Sequence, residues 1–316
     1  MSRRNRLLEW GPTSERGPFL SSVGLAALVV AVLLGLVVGA GFSTATFGAY
    51  NPSWDGTSEF VGLAERTGTE TLVTSDVARY PTGDPSRTVA VVFAPRTGYD
   101  ESETERISQF VQRGGTLVVA SDAGAGAIPA NELLSNLGTE ARVDGRPLRD
   151  EVRNSEGPAM PRATNVTDHP LTRRVSEVTL NYGTVVDPGN ATVLVASSRF
   201  AYLDVNGNDQ FDGETNTAEE PRSFPVATVE QIGNGRVVVL GDPSVFINAM
   251  IDQPGNRRLA LGLLEPHDRV VVDYSTRGDL PPLRIGLSLL RQSDPLLAIS
   301  GFVAVAVLGA IARWRA

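Results

Sequence analysis

The densest set of potential ligand atoms in the chain is Asp204, Asn206, Asn208, Gln210 and Asp212. Oxygen side chains at alternate positions, with a backbone carbonyl at Gln210, match positions 1, 3, 5, 7 and 9 of a calcium loop. Position 6 is Asp209 where such loops carry glycine. Position 12 is Thr215 where they carry a bidentate glutamate, with Glu214 one residue early. Aspartate tolerates a left-handed backbone, so the turn remains feasible. The segment therefore reads either as a weak structural calcium site or as an acidic, solvated loop. No cofactor is otherwise required.

Nucleophilic chemistry has few candidates. The absence of cysteine removes thiolate nucleophiles, thiolate zinc sites and disulfides together. Ser121 is an alcohol nucleophile only with a base beside it, and the chain holds two histidines, His169 and His267. His169 precedes a proline, which suits a turn, and His267 opens a strand as a half-exposed structural residue. Open parallel sheets bind ligands beyond the carboxyl ends of their strands. The expected strand ends place Ser75, Asp76, Arg96, Ser121, Asp122, Gly241 and Asp242 on that rim. Backbone N–H groups of the glycine-rich stretch 122–126 could face a small anion; the same residue types also close ordinary βα loops. Asn165-Val166-Thr167 and Asn190-Ala191-Thr192 are glycosylation sequons.

The elements that position these residues are legible in the pattern. A helix is expected over 57–67, strands over 71–74 and 88–94, a helix over 102–113 and a strand over 116–120. The strand 88–94 is apolar on both faces, which implies burial between two helical layers. Strand, helix and strand with short connections form a βαβ unit and hence a parallel sheet. A helix over 131–137 ends at Gly138, and 140–190 is weakly patterned. A strand at 191–196 precedes a hairpin, 226–232 with 236–240, turned at Gly233-Asn234-Gly235. Helices follow over 244–251 and 256–264, broken at Pro254-Gly255, then a last strand over 267–274.

Outside this region the composition changes. Residues 19–42 are almost continuously apolar, and 295–312 carry no charge. Roughly 20 apolar residues cross a bilayer core. The first run could instead be a signal peptide, although its apolar stretch exceeds the usual signal length. The second could be a buried helix, although its apolar residues go all the way round. Arg3, Arg4, Arg6 and Arg16 precede the first run, and Arg313 and Arg315 follow the second, so both ends are expected in the cytoplasm. Each tail nets +2 out of a total of −8, leaving −12 on the segment held outside. The expected division is a tail (1–18), a span (19–42), a linker (43–56), an α/β domain (57–275), a linker (276–294), a span (295–312) and a tail (313–316). All 28 basic residues are arginine. An acidic, lysine-free surface suits concentrated salt, where screening removes self-repulsion; a GC-rich genome would also favour arginine. Such an acidic chain is a poor partner for nucleic acid.

Three motifs in order resemble class I glutamine-amidotransferase-like domains. Phe110-Val111-Gln112-Arg113-Gly114-Gly115-Thr116-Leu117 looks like their helix–Gly-Gly–strand step, and Asp168-His169-Pro170-Leu171-Thr172 like their His-Pro-Leu step. Gly233-Asn234-Gly235-Arg236-Val237-Val238-Val239-Leu240-Gly241-Asp242 looks like their late hairpin. The chain most resembles haloarchaeal membrane proteins carrying domain of unknown function 4350, related in fold to a component of gliding-type transport systems. That likeness covers most of 57–275. It implies a flavodoxin-like, parallel-rich sheet covered by helices and flanked by two transmembrane helices, with no established activity. True amidotransferases need a cysteine where this chain has the turn Ala120-Ser121-Asp122-Ala123-Gly124. The expectation is a non-catalytic, extracytoplasmic interaction or sensing subunit, partnered by a transport- or ATPase-linked membrane complex. An extracytoplasmic hydrolase or a solute-binding module on the same fold is the alternative.

Overall fold

The computed structural model describes residues 43–81, 83–213, 219–277 and 281, all within one compact unit, Phe42–Pro281. The apolar runs 19–42 and 295–312 lie outside the described residues. Among the described residues, no helix is long and apolar enough to cross a membrane.

The fold is mixed α/β. Its main sheet has eight strands side by side. The first five run parallel: β1 (Glu70–Thr74), β13 (Arg269–Asp273), β2 (Thr88–Phe93), β3 (Thr116–Ala120) and β12 (Gly235–Leu240). The other three, β11 (Pro225–Ile232), β9 (Thr192–Ala196) and β6 (Asn165–Val166), each lie antiparallel to their neighbour. Numbered by chain position, the parallel strands lie in the order 1-5-2-3-4. This is the flavodoxin order 2-1-3-4-5 with its first strand moved to the end of the chain.

The expected burial of the central strands on both faces holds by strict alternation. Val89, Val91 and Phe93 face one core with Val118, Val238 and Val270, while Ala90 and Val92 face a second with Leu117, Val237 and Val271. The first core is closed by α1 (Ser58–Arg66) and α4 (Pro254–Leu264), through Phe60, Leu63, Leu259 and Leu263. The second is closed by α2 (Glu101–Gln112) and α3 (Ala127–Asn136), through Ile107, Phe110, Leu133 and Leu134. Asp100 caps α2 in a capping box with Glu103, satisfying two otherwise orphaned N–H groups.

Several boundaries differ from the sequence pattern for local reasons. Helix α3 starts earlier than expected because Pro129 falls in its first turn, where a missing N–H costs nothing. Pro254 opens α4 instead of breaking a longer helix. The helix expected over 244–251 is a short 3-10 turn, Pro243–Phe246. The weakly patterned region holds a small sheet, β10 (Ala201–Leu203), β4 (Arg142–Asp150) and β8 (Thr184–Asp187), and a two-stranded pair, β5 (Arg162–Ala163) and β7 (Val178–Thr179). Residues 43–56, expected as a linker, are folded onto the domain with Phe47, Ala49 and Asn51 buried.

Candidate functional site

The helices before β1 and β13 cover one face of the sheet, and those after β2 and β3 cover the other. The layer therefore switches between β13 and β2, where such sheets open a ligand crevice beyond the strand ends. Here that position is filled by the chain itself. Arg277 donates from Nη1 to the Ala94 carbonyl (2.7 Å) and from Nη2 to the Thr46 carbonyl (2.6 Å), and its guanidinium lies 5.5 Å from the Phe47 ring centroid. The Tyr274 and Thr57 hydroxyls both donate to the Phe47 carbonyl. Ala94 (φ 41°) and Phe47 (φ 60°) hold left-handed backbone that a side chain adopts at a cost, and here the clamp compensates it.

Beside this plug, Asp273 ends β13 with every lone pair engaged. Its Oδ2 accepts from the Tyr80 hydroxyl (2.8 Å) and the Tyr99 hydroxyl (3.0 Å). Its Oδ1 accepts from the Ser275 N–H (2.7 Å) and hydroxyl (2.6 Å). Burial first, and the Asp273 charge second, push both phenols well above their ordinary range. Sequence reasoning missed Arg277, Asp273, Tyr80 and Tyr99. Asp273 was hidden inside a strand pattern, and Arg277 lay in a supposed linker.

Of the seven rim residues expected from the sequence, the fold couples two. Asp122 follows β3, Asp242 follows β12, and these strands are neighbours in register. Asp242 is fully buried; its Oδ2 accepts the Asn181 N–H (2.5 Å) and its Oδ1 the Ser244 N–H (2.6 Å). Those bonds favour the charged form, but burial and the charge of Asp122 outweigh them and raise its pKa well above the carboxylate range. Asp122 accepts the Ala123 N–H, and burial pushes it up to about 6. Both carboxyls are therefore harder to ionise than free aspartates. Gly241 is obligatory between them and β8, since a Cβ there would lie 2.3 Å from the Thr184 carbonyl.

The remaining rim residues do not join this pair. Ser75, Asp76 and Arg96 are exposed, with Asp76 capping a 3-10 turn through the Ala78 N–H. Ser121 is fully buried, and its N–H extends the ladder to the Leu240 carbonyl, so it does not stand on a tight turn. Its hydroxyl has no hydrogen-bond partner. Neither histidine can reach it. His267 bonds the hydroxyl of Thr116 at the opposite end of β3, five residues away or about 16 Å at strand rise. It is also buried, not half-exposed, with Nδ1 against the Leu263 carbonyl (2.8 Å). His169 sits in the expected turn and accepts the Leu171 N–H through Nδ1. Burial first, and the charge of Arg236 near the start of β12 second, lower its pKa, so it too lies toward the amino end. A Ser121–histidine site is thereby removed.

The calcium-like loop is closed by its own hydrogen bonds. Asp204, fully enclosed, accepts from Arg149 Nε (3.0 Å) and from the N–H groups of Gly207, Asn208 and Asp209. Arg149 also pairs with Asp209, whose φ of 65° supplies the left-handed turn at the glycine position. Asn206 and Asn208 turn their amide nitrogens toward Asp212, and Asn208 Oδ1 accepts the Gln210 N–H. Ligand oxygens are thus spent on an arginine and on amides, and among the described residues no group of three or more His, Asp or Glu side chains is placed to hold a metal. Structural calcium is not indicated. Both sequon asparagines, Asn165 and Asn190, are exposed. An open groove of about 890 Å³ between α2 and α3 is lined by Tyr99, Asp100, Glu101, Glu105, Glu132 and Asn136.

A family model described as Domain of unknown function (DUF4350) matches residues 49–264. No curated protein matches the chain. Among solved structures, the mmIFT52 N-terminal domain is 14% identical at a TM-score of 0.47, covering 65% of this chain and 83% of that one. The exo-β-1,4-mannosidase Op5Man5 from Opitutaceae bacterium strain TAV5 is 15% identical at 0.36, covering 66% of this chain and 30% of that one. A polyextremophilic β-galactosidase from the Antarctic haloarchaeon Halorubrum lacusprofundi is 21% identical at 0.33, covering 59% and 23%. The chain spans less than a third of those two glycosidases. None of these likenesses carries an argument about activity.

Proposed function

Because the chain belongs to the DUF4350 family, whose description assigns no activity, we propose its function from the rim: a membrane-anchored, non-catalytic, extracytoplasmic interaction or sensing subunit. The observation that carries this reading is the closed crevice. Arg277, Tyr274 and the Thr46–Phe47 backbone occupy the position where a sheet of this order would take a ligand. What remains for recognition is the outer surface.

Residues 19–42 and 295–312 serve as the two spans, with both termini cytoplasmic, on the strength of the arginine flanks and the −12 charge between them. That charge suits an organism living in concentrated salt, in keeping with the resemblance to haloarchaeal proteins. The amidotransferase-like motifs mark a shared scaffold, with Ser121 standing where a cysteine would act. Partners are membrane proteins of a transport- or ATPase-linked complex, by analogy with the gliding-type component.

Extraction from native membranes at high salt, followed by crosslinking and mass spectrometry, tests the reading. A reproducible transporter or ATPase partner is expected; a chain that travels alone refutes it. The adjacent carboxyls Asp122 and Asp242, both raised by burial, favour the second reading, a solute-binding or hydrolytic rim. A rise in thermal midpoint with an added solute would support that alternative, because a ligand bound to the folded state stabilises it by mass action.

A further inference from the structure

The first apolar run ends at Phe42, and the folded body begins at the next residue. Ser43 already donates its N–H to the Tyr50 carbonyl (3.1 Å), and its hydroxyl accepts the Ala45 N–H (3.0 Å). The loop 43–56 is held at several points. Phe47 N–H donates to the Asp55 carbonyl (2.7 Å), and Asn51 Nδ2 donates to the Ala45 carbonyl (3.0 Å) and to Asp55 Oδ1 (2.9 Å). Asn248 Nδ2 donates to the Ser53 carbonyl (2.6 Å), and the Ala249 N–H to the Trp54 carbonyl (3.0 Å). Arg277 also reaches this loop, donating to the Thr46 carbonyl. On this fixed loop the Trp54 side chain stands 68% exposed. The nearby acid is satisfied, because Asp55 also accepts the Thr46 hydroxyl (2.9 Å).

We propose that the loop 43–56 is a lipid-contacting surface, resting on the bilayer with the Trp54 indole at the level of the headgroups. This rests on the anchoring reading, in which residues 19–42 span. A chain reaches at most about 3.5 Å per residue, so a run ending at Phe42 and a fold starting at Ser43 leave no spacer to lift this loop from the surface. Indole is the side chain that membrane interfaces select, with an apolar body and one N–H for the wet side. A rigid loop presents it without an ordering cost at contact.

The test uses the full chain with Trp10→Phe and Trp314→Phe, which leaves Trp54 as the sole tryptophan, in vesicles of phosphatidylcholine and phosphatidylglycerol. Lipids brominated near the headgroup end of the acyl chain should lower Trp54 emission about two-fold, as contact at interfacial depth requires. Because the chain has no cysteine, Trp54→Cys carrying a polarity-sensitive fluorophore gives an independent reading, with a blue shift expected on reconstitution. Alkaline carbonate extraction separates the two ideas. Unquenched Trp54 and an unshifted label in a chain that resists extraction overturn the lipid contact and leave anchoring in place. A chain released by carbonate overturns both.

Discussion

Replacing Asp122 by asparagine should stabilise the protein at alkaline pH and leave it unchanged near pH 4. Asp122 is held at about 6 in the fold against 3.8 for the free group. A carboxyl raised in this way contributes stability below its unfolded pKa, and that stability is lost as pH rises through the folded value. A shift of about two units, at about 1.4 kcal/mol each, makes the ionised Asp122 cost about 3 kcal/mol by pH 8. Asp242, raised in the same direction by burial and by Asp122, adds to the slope. Asparagine keeps an oxygen for the Ala123 N–H and removes the charge. For a domain of this size about 3 kcal/mol corresponds to a rise in thermal midpoint of up to about 10 °C. The assay is thermal unfolding of the detergent-solubilised chain from pH 4 to 8 in high salt, which screens surface charge and leaves the buried pair. The informative quantity is the midpoint of the variant minus that of the wild type. A difference that stays constant across this range, or a variant less stable at pH 8, would refute the reasoning.

Four further outcomes follow from the same structure. His267 is buried, and burial lowers its pKa below 6.5; its stabilisation is full above that value and is lost as pH falls. A His267→Gln variant should therefore lose less midpoint than the wild type as pH falls from 7 to 4. Arg149→Met should destabilise by about 3–5 kcal/mol, because it leaves the enclosed Asp204 carboxylate without its ion pair. Chelators should leave the wild-type midpoint unchanged, and a calcium-dependent rise in midpoint would contradict the loop geometry. Arg277→Met should strand the Ala94 and Thr46 carbonyls, costing about 2–4 kcal/mol and accelerating hydrogen exchange in residues 43–56; unchanged exchange there would show that the plug does not depend on the guanidinium.

The parallel sheet was legible because its signals are local. Val89 to Phe93 alternate between two cores, Ile107, Phe110 and Val111 recur at helical spacing, and Gly233-Asn234 turns a hairpin; each pattern is complete within a few residues. The acidic side chains at strand ends were legible for the same reason. Which of them would meet was not. Asp122 and Asp242 couple only because β12 inserts beside β3, and nothing near either residue in the chain specifies that neighbour. Ser121 looked reactive by type, yet its strand direction puts both histidines at the far end of the sheet. The calcium-like spacing was real, but Arg149 arrives from β4 and takes the first carboxylate. Sequence by itself determined the layers, the charge and the missing thiol, since these depend on residue type and period. Tertiary structure decided the crevice. Its plug joins Arg277 to Thr46 across 231 positions, and a contact of that span is set by strand order, which no local pattern encodes.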